Sequence, residues 1–155
     1  MPRYWLMKSE PSVVGIDHVL AMKNQTVDWW GVRNYQARNF MRDQMKPGDQ
    51  AFMYHSSCAE PGVYGVMEIA TPSYPDPTQF DKKSPYYDEA ATKEQPRWFL
   101  VDVKYRRHLR RPVLLSELRA NSAKLKGFKL LTAGRLSVMP VSPDHWQFIL
   151  ALERA

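Results

Sequence analysis

Twelve prolines interrupt this chain of 155 residues and limit the length of any helix or strand that it can form. Proline fixes φ and has no backbone N–H, so helix interiors and central strands tolerate it poorly. Many short elements separated by fixed turns are more typical of a small barrel than of a helical bundle. The sequence therefore favours a small barrel.

The composition is that of an ordinary globular domain. Hydrophobic residues make up 44% of the chain and charged residues 25%, and this length suffices for one domain with its own core. No apolar run approaches the roughly 18 residues of a membrane span, and the N-terminal apolar stretch is too short for a signal peptide. The lone Cys58 is typical of a reducing compartment. We expect a single domain over residues 1–155, no membrane partner, and a cytoplasmic location, or a nuclear one for a eukaryotic source.

Apolar patterning and turn residues predict the order of the elements. Alternation predicts strands over 3–8 and 98–106, apolar runs beside turn residues predict strands over 50–56, 63–70 and 138–141, and 27–30 is expected to be a short extended segment. Helical spacing predicts helices over 15–24 and 35–44, with Asn34 as an N-cap, and two further helices that begin near Ser116 and after Ser142. Residues 71–96 are rich in proline and predict a long ordered loop, a feature that is often functional.

The adjacent pair Trp29-Trp30 is followed by a glycine, an arginine and an asparagine. Two tryptophans beside a turn favour a wall for a flat ligand, because stacking a base on an aromatic ring contributes roughly 1–3 kcal/mol. Arg33 adds a cation, and Asn34 adds an amide that can donate to and accept from a base edge. We expect one tryptophan of the pair to anchor the fold and the other to line a pocket. Trp98 and Trp5 are further candidates for the pocket wall.

A hydrolase is the alternative that the segment 54–58 raises, with Cys58 or Ser57 as nucleophile and His55 as base. A nucleophile needs a base that a third group orients, and neither a GxSxG elbow nor a papain-like context surrounds these residues. We therefore expect no catalytic residue. Four scattered histidines and one cysteine make no metal-ligand set, so we also expect no metal and no cofactor.

The net charge of +6 permits an anionic partner such as nucleic acid. A basic run on the predicted strand 98–106 and its extension offers phosphate contacts from Lys104, Arg106, Arg107, Arg110 and Arg111. A charge run of this kind is more often a solvated face. The polar loop Gly134-Arg135-Leu136-Ser137 offers a further phosphate contact at Arg135 and an apolar wall at Leu136.

Taken together, these segments resemble the EVE domain family, a branch of the PUA-like superfamily close to YTH domains. The matching segments occur in family order over nearly the whole chain: Tyr4-Trp5-Leu6-Met7-Lys8-Ser9-Glu10-Pro11, Trp30-Gly31-Val32-Arg33-Asn34, Ala37-Arg38-Asn39, Met45-Lys46-Pro47-Gly48-Asp49, Tyr54-His55-Ser56, Gly65-Val66-Met67-Glu68, the Trp98 strand and Arg135-Leu136-Ser137-Val138. A single segment would be weak evidence for the family, but the whole set in this order is specific for it.

The resemblance implies an α+β fold, a PUA-like partly open mixed β-barrel of about five to six strands with several short helices around it. It also implies an aromatic-lined pocket that reads a modified nucleobase, with modified cytosine in DNA as the usual proposal and modified RNA as another. Trp30 matches the first tryptophan of the aromatic cage of YTH domains, and Trp98 matches a second wall. Asn34, Ser56 and the loop from Arg135 to Ser137 then provide edge and rim contacts.

The leading hypothesis is a non-enzymatic reader of a modified base in DNA or RNA. Trp30 stacks on the base, Asn34 and Ser56 bind its edge, and Arg33, Arg135 and the basic run meet phosphates. A small-molecule or protein-interaction module that uses the same pocket is the main alternative, and the hydrolase is a third. The sequence leaves the base, the strandedness of the target and the oligomeric state open.

Overall fold

The computed structural model describes residues 3–155, which form eight strands and five α-helices. The strands are β1 (Tyr4–Ser9), β2 (Thr26–Asp28), β3 (Gln50–His55), β4 (Gly62–Ile69), β5 (Tyr74–Pro75), β6 (Phe99–Leu100), β7 (Asp102–Leu114) and β8 (Val138–Val141). The helices are α1 (Ile16–Ala21), α2 (Tyr35–Asn39), α3 (Leu115–Ala120), α4 (Lys129–Thr132) and α5 (Pro143–Leu152). Short 3₁₀ turns span Lys23–Gln25, Pro77–Phe80 and Ser122–Lys124, and a π-helical turn, Phe40–Gln44, continues α2. None of the helices in the described range is long and apolar enough to cross a membrane.

Six strands form one mixed sheet in the order β2-β7-β4-β3-β1-β8. Its pairs are antiparallel except β1 with β3, which run parallel. Register shifts interrupt the β3–β4 pair once and the β4–β7 pair twice, and such bulges increase the local twist. The sheet curls into a half barrel that stays open between its edge strands β2 and β8. The α+β, partly open mixed barrel that the sequence predicts is confirmed.

The long strand β7 is the largest difference from the predicted elements. The sequence predicts a strand over 98–106, whereas the structure has a two-residue β6, a break at Val101, and a thirteen-residue β7 that runs through the whole basic segment. Leu109 and Val113 are buried within that segment. The inward side of the strand therefore keeps its apolar character, while the arginines occupy positions that face solvent.

Aromatic stacking fixes the last helix on the sheet. Ser142 caps α5 by accepting a hydrogen bond from the His145 N–H at 3.2 Å, as the sequence predicts. The Trp146 ring of α5 stacks on Phe52 of β3, with ring centroids 3.8 Å apart, and on Tyr4 of β1 at 4.6 Å. Trp5, the next residue of β1 after Tyr4, is fully buried and donates its indole N–H to Asp49 at 3.0 Å. Trp5 is therefore a core residue and not a pocket wall.

His55, at the end of β3, joins the sheet to the start of α1. Its Nε2 atom accepts a hydrogen bond from the backbone N–H of Ile16 at 3.1 Å, and the Nδ1 atom of His18 accepts from the Gly15 N–H at 2.7 Å. A backbone N–H can only donate, so the Nε2 atom of His55 carries no proton in this contact. Burial lowers the pKa of His55 from its usual 6.5, and the nearby Asp17 carboxylate opposes that shift.

We expect acid to destabilise the fold through His55. The pKa of His55 is lower in the folded chain than in the unfolded chain, so the unfolded chain binds more protons, and stability is lost as pH falls from 6.5 through the folded pKa. Thermal unfolding measured by circular dichroism at about pH 7 and about pH 5 should show this loss. His55→Gln should reduce the difference in Tm between the two pH values, because the amide oxygen accepts the Ile16 N–H without titrating.

His145→Gln is the matched control, since it removes a half-buried histidine of α5 whose backbone N–H makes the helix cap. A pH dependence of Tm that is the same in His55→Gln as in the wild-type chain would contradict the assignment.

Candidate functional site

A cavity of about 420 Å³ opens where the carboxyl ends of the parallel strands β1 and β3 meet the segment that follows β2. Its lining residues come from 8–10, 13–14, 28–33 and 56–57, together with Tyr86, Gly134 and Ser137. This volume lies within the range of small-ligand sites in proteins. The cavity is therefore large enough for one planar base.

The two adjacent tryptophans have different surroundings. Burial alternates along the chain from Val27 to Trp30, so that Val27 and Trp29 face the core and Asp28 and Trp30 face outward. Trp29 is only 6% exposed, whereas Trp30 is half-buried, packs one side against the core and lines the cavity. The pair thus divides into an anchor, Trp29, and an accessible aromatic wall, Trp30.

A buried carboxylate holds the turn that presents Trp30. Gly31 has φ +84°, a conformation that glycine adopts without strain, and its backbone N–H donates to the Asp76 carboxylate at 2.8 Å. The same carboxylate accepts from the backbone N–H and the hydroxyl of Thr78, at 2.8 and 2.6 Å, and is fully buried. The ring of Tyr86 lies against Gly31 so closely that a Cβ atom there would be 2.9 Å from it. Residues of the long loop therefore fix the pocket wall.

Arg33 lines the cavity, but its guanidinium already binds within the protein. It pairs with Asp76 at 3.2 Å, and its three nitrogens also donate to the carbonyl oxygens of Val32 and Tyr86 and to the hydroxyl of Thr78 at 2.7 to 3.1 Å. Every guanidinium nitrogen therefore has an internal acceptor. This geometry assigns Arg33 to holding the turn rather than to a phosphate.

Trp98 and Asn34 lie outside the cavity, contrary to the expected edge and wall contacts. Trp98 is 6% exposed, stacks on Tyr35 with centroids 4.8 Å apart, and donates its indole N–H to Asp88 at 2.8 Å. The Asn34 side chain accepts a hydrogen bond from the Ala37 N–H at 2.9 Å, which makes it the predicted N-cap of α2. Because the Asn34 side-chain oxygen already accepts the Ala37 N–H, Asn34 does not reach a base in this geometry.

Of the remaining predicted contact residues, some line the cavity and others do not. Ser56 and Ser137 line the cavity. Leu136 is 4% exposed and belongs to the hydrophobic core, whereas Arg135 is exposed on the surface beside it. The structure therefore brings Trp30, Arg33, Ser56 and Ser137 together around one cavity, and leaves Asn34, Trp98, Arg135 and Leu136 outside its lining.

Sequence reasoning missed several lining residues, among them Lys8, Glu10, Asp28 and Tyr86. Lys8 donates from Nζ to the Gly134 carbonyl at 3.0 Å, and burial lowers its pKa. Lys8 ends the predicted first strand and Glu10 follows it closely, which was a signal for both, because residues where a strand passes into a loop often carry function. No local pattern marks Tyr86, which reaches the cavity only through the folding of the long loop.

A model of the EVE domain family matches residues 3–152 of the chain. The chain belongs to the EVE domain family. Thymocyte nuclear protein 1 of Danio rerio is 46% identical over 165 aligned positions, which cover 96% of this chain and 71% of that protein. The crystal structure of human THYN1 in complex with 5-methylcytosine-containing DNA superposes with a TM-score of 0.94 at 42% identity, and covers 99% of this chain and 98% of that one. A crystal structure of a Pseudomonas putida protein gives a TM-score of 0.91 at 45% identity, over 97% and 99% of the two chains. The predicted PUA-like fold is confirmed.

The basic run of this EVE domain lies along β7, and three of its arginines are paired within the protein. Arg107 makes two hydrogen bonds to Glu153, at 2.9 and 2.7 Å, and Arg111 makes two to Glu117, both at 2.8 Å. Arg106 lies 3.3 Å from Glu68. Glu153 is almost fully buried, and its hydrogen bonds with Arg107 lower its pKa. Because Arg107 lies on β7 and Glu153 follows α5, this pair joins β7 to the end of α5. Within residues 3–155, only Lys104 and Arg110 of the five expected phosphate contacts make no side-chain ion pair.

The geometry gives little support to the hydrolase alternative. His55 is 8% exposed, and its ring stacks on Tyr64 with centroids 4.1 Å apart and accepts the backbone N–H of Ile16 at Nε2. In the part of the chain that the structure describes, no hydrogen bond joins His55 to Ser57 or Cys58. The described residues also contain no cluster of three or more potential metal ligands.

We expect Asp76→Asn to destabilise the turn at Trp30. The carboxylate accepts four donors, and an amide presents its NH₂ group to some of them while leaving the Arg33 charge unpaired. Hydrogen bonds to a charged group contribute about 1.5–3 kcal/mol each, so a loss of this order should appear in the free energy of unfolding from urea titration. Glu89→Gln, in an exposed part of the same loop, is the control. Equal stability of the two variants would contradict the role of Asp76.

Proposed function

We propose that this EVE domain binds DNA and admits one 5-methylcytosine into the cavity beside Trp30. The observation that carries the proposal is the half-buried indole of Trp30 on the wall of a base-sized cavity. The likeness to human THYN1, whose structure is a complex with 5-methylcytosine-containing DNA, supports it. RNA with a modified base is the alternative target that the binding experiment must include.

Stacking and methyl burial provide the affinity for the base. A base stacked on an aromatic ring gains roughly 1–3 kcal/mol, and burial of a methyl-sized group adds roughly 0.8 kcal/mol. Tyr86 and Val14 add apolar surface to the cavity, and the hydroxyls of Ser56 and Ser137 offer hydrogen bonds to the polar edge. The cavity therefore suits a flat ligand that has one apolar and one polar edge.

A base must leave its stack to enter the cavity, at a cost of a few kcal/mol in a duplex. Single-stranded DNA avoids most of that cost, so we expect the domain to bind a single strand more tightly than a paired duplex of the same sequence. Lys104, Arg110 and Arg135 are the predicted phosphate contacts that the structure leaves without an ion pair among the described residues. Their contribution should weaken as salt increases.

The role that we propose is binding and not catalysis. The commitment of His55 to the Ile16 N–H and its stacking on Tyr64 support this assignment, because a general base needs a free nitrogen within reach of its nucleophile. A module for small molecules or proteins would use the same cavity, but its binding would lack the dependence on salt that phosphate contacts produce.

We expect Trp30→Ala to weaken binding of a single-stranded 5-methylcytosine oligonucleotide by about tenfold or more, because the stacking energy of roughly 1–3 kcal/mol is lost. Fluorescence anisotropy with a labelled oligonucleotide at fixed salt measures the change, with unmodified cytosine and RNA versions in parallel. Trp30→Phe should retain part of the affinity, because it keeps an aromatic face.

Tyr87→Ala is the matched control, since Tyr87 is an exposed aromatic residue outside the cavity lining. Thermal unfolding by circular dichroism checks that the variants stay folded. Wild-type affinity in a folded Trp30→Ala variant would show that the base does not bind at this wall.

A further inference from the structure

A cavity that accepts 5-methylcytosine has to reject thymine by something other than the methyl group. Both bases carry a methyl group at C5 and a carbonyl at C2, and both fit the same aromatic wall. They differ at position 4, where cytosine has an amino group that donates and thymine has a carbonyl oxygen that accepts, and at N3, which accepts in cytosine and donates in thymine. A hydrogen-bond acceptor in the cavity that meets position 4 would therefore favour cytosine over thymine.

Two carboxylates with no internal partner lie at the cavity wall. Glu10 follows β1, and Asp28 ends β2, two residues before Trp30 and on the same outward side of the chain. Both side chains are exposed, and neither makes an ion pair or accepts a side-chain hydrogen bond within residues 3–155. They differ in this respect from Asp76, whose oxygens have four donors.

Lys8 brings the opposite charge to the same cavity. Its Nζ atom uses one hydrogen bond on the Gly134 carbonyl, 3.0 Å away, and lies 5.8 Å from the centre of the Tyr54 ring. It makes no ion pair in the described chain, so N–H groups remain for a ligand carbonyl. Arg33, the other cation of the lining, has internal acceptors on all three nitrogens.

We propose that Glu10 and Asp28 are the specificity-determining residues of the cavity, and that their carboxylates accept the 4-amino group of a cytosine while Lys8 donates to its C2 carbonyl. The inference rests on the proposed function. A thymine in the same position would place its C4 oxygen against a carboxylate, and two acceptors repel each other. Glu10 and Asp28 thus favour the binding of cytosine and disfavour the binding of thymine.

The test compares single-stranded oligonucleotides that differ only in one base, which is 5-methylcytosine, cytosine or thymine. We expect the wild-type domain to bind 5-methylcytosine at least tenfold more tightly than thymine, because a good contact to a base edge discriminates by roughly fivefold to a hundredfold. In the double variant Glu10→Gln and Asp28→Asn, the preference over thymine should fall below about threefold. The two single variants measure the share of each carboxylate.

Two comparisons separate base reading from general electrostatics. Glu89→Gln with Glu94→Gln removes two negative charges from exposed positions of the long loop, outside the cavity lining, and should leave the preference at its wild-type value. Lys8→Met should weaken the binding of both pyrimidines together, because both have the C2 carbonyl, and should leave their ratio unchanged.

A wild-type domain that binds thymine as tightly as 5-methylcytosine would overturn the inference, and so would a folded double variant that keeps the full preference. The failure of the proposed function has a different signature, namely no measurable binding of the 5-methylcytosine oligonucleotide or equal binding by folded Trp30→Ala. A loss of discrimination with retained 5-methylcytosine binding therefore tests Glu10 and Asp28 alone.

Discussion

The buried carboxylate of Asp76 is the interaction on which the candidate site depends. It binds the Gly31 N–H and the Arg33 guanidinium from one side and Thr78 from the other, with no exposure to solvent. An ionised carboxylate is stable in such a place only when donors surround it. The same contacts connect two segments that are 45 residues apart in the chain, and they fix the direction in which Trp30 leaves the core.

Local patterns were sufficient to predict most of the fold. Alternation located β1, and the N-cap residues Asn34 and Ser142 marked the starts of α2 and α5. Local patterns failed at β7, where a run of arginines looked like the end of a strand. The strand continues because Leu109 and Val113 are buried in the core. Glutamates also pair with its arginines, namely Glu68, Glu117 and Glu153. Glu68 and Glu153 are distant in sequence from the arginines that they bind, so no local window of the chain shows them, whereas Glu117 lies only six residues after Arg111.

The site was predictable only in part, for the same reason. The turn after Trp30 and the burial of Trp29 follow from neighbouring residues, and the structure places both as the sequence indicates. The surroundings of Arg33 and Trp98 depend on where the loop 71–96 folds, and that loop provides Asp76, Tyr86 and Asp88. A residue type can indicate what a side chain is able to bind, but its long-range partners decide whether it is already bound.

A crystal structure of this EVE domain with a single-stranded oligonucleotide that carries one 5-methylcytosine tests the central claim most directly. We expect one cytosine ring inside the cavity, stacked on Trp30 at van der Waals distance, with its polar edge toward the carboxylates at the cavity wall and its phosphates outside. An oligonucleotide that lies along the basic face of β7 with the cavity empty of any base, or a cytosine that does not contact Trp30, would contradict it.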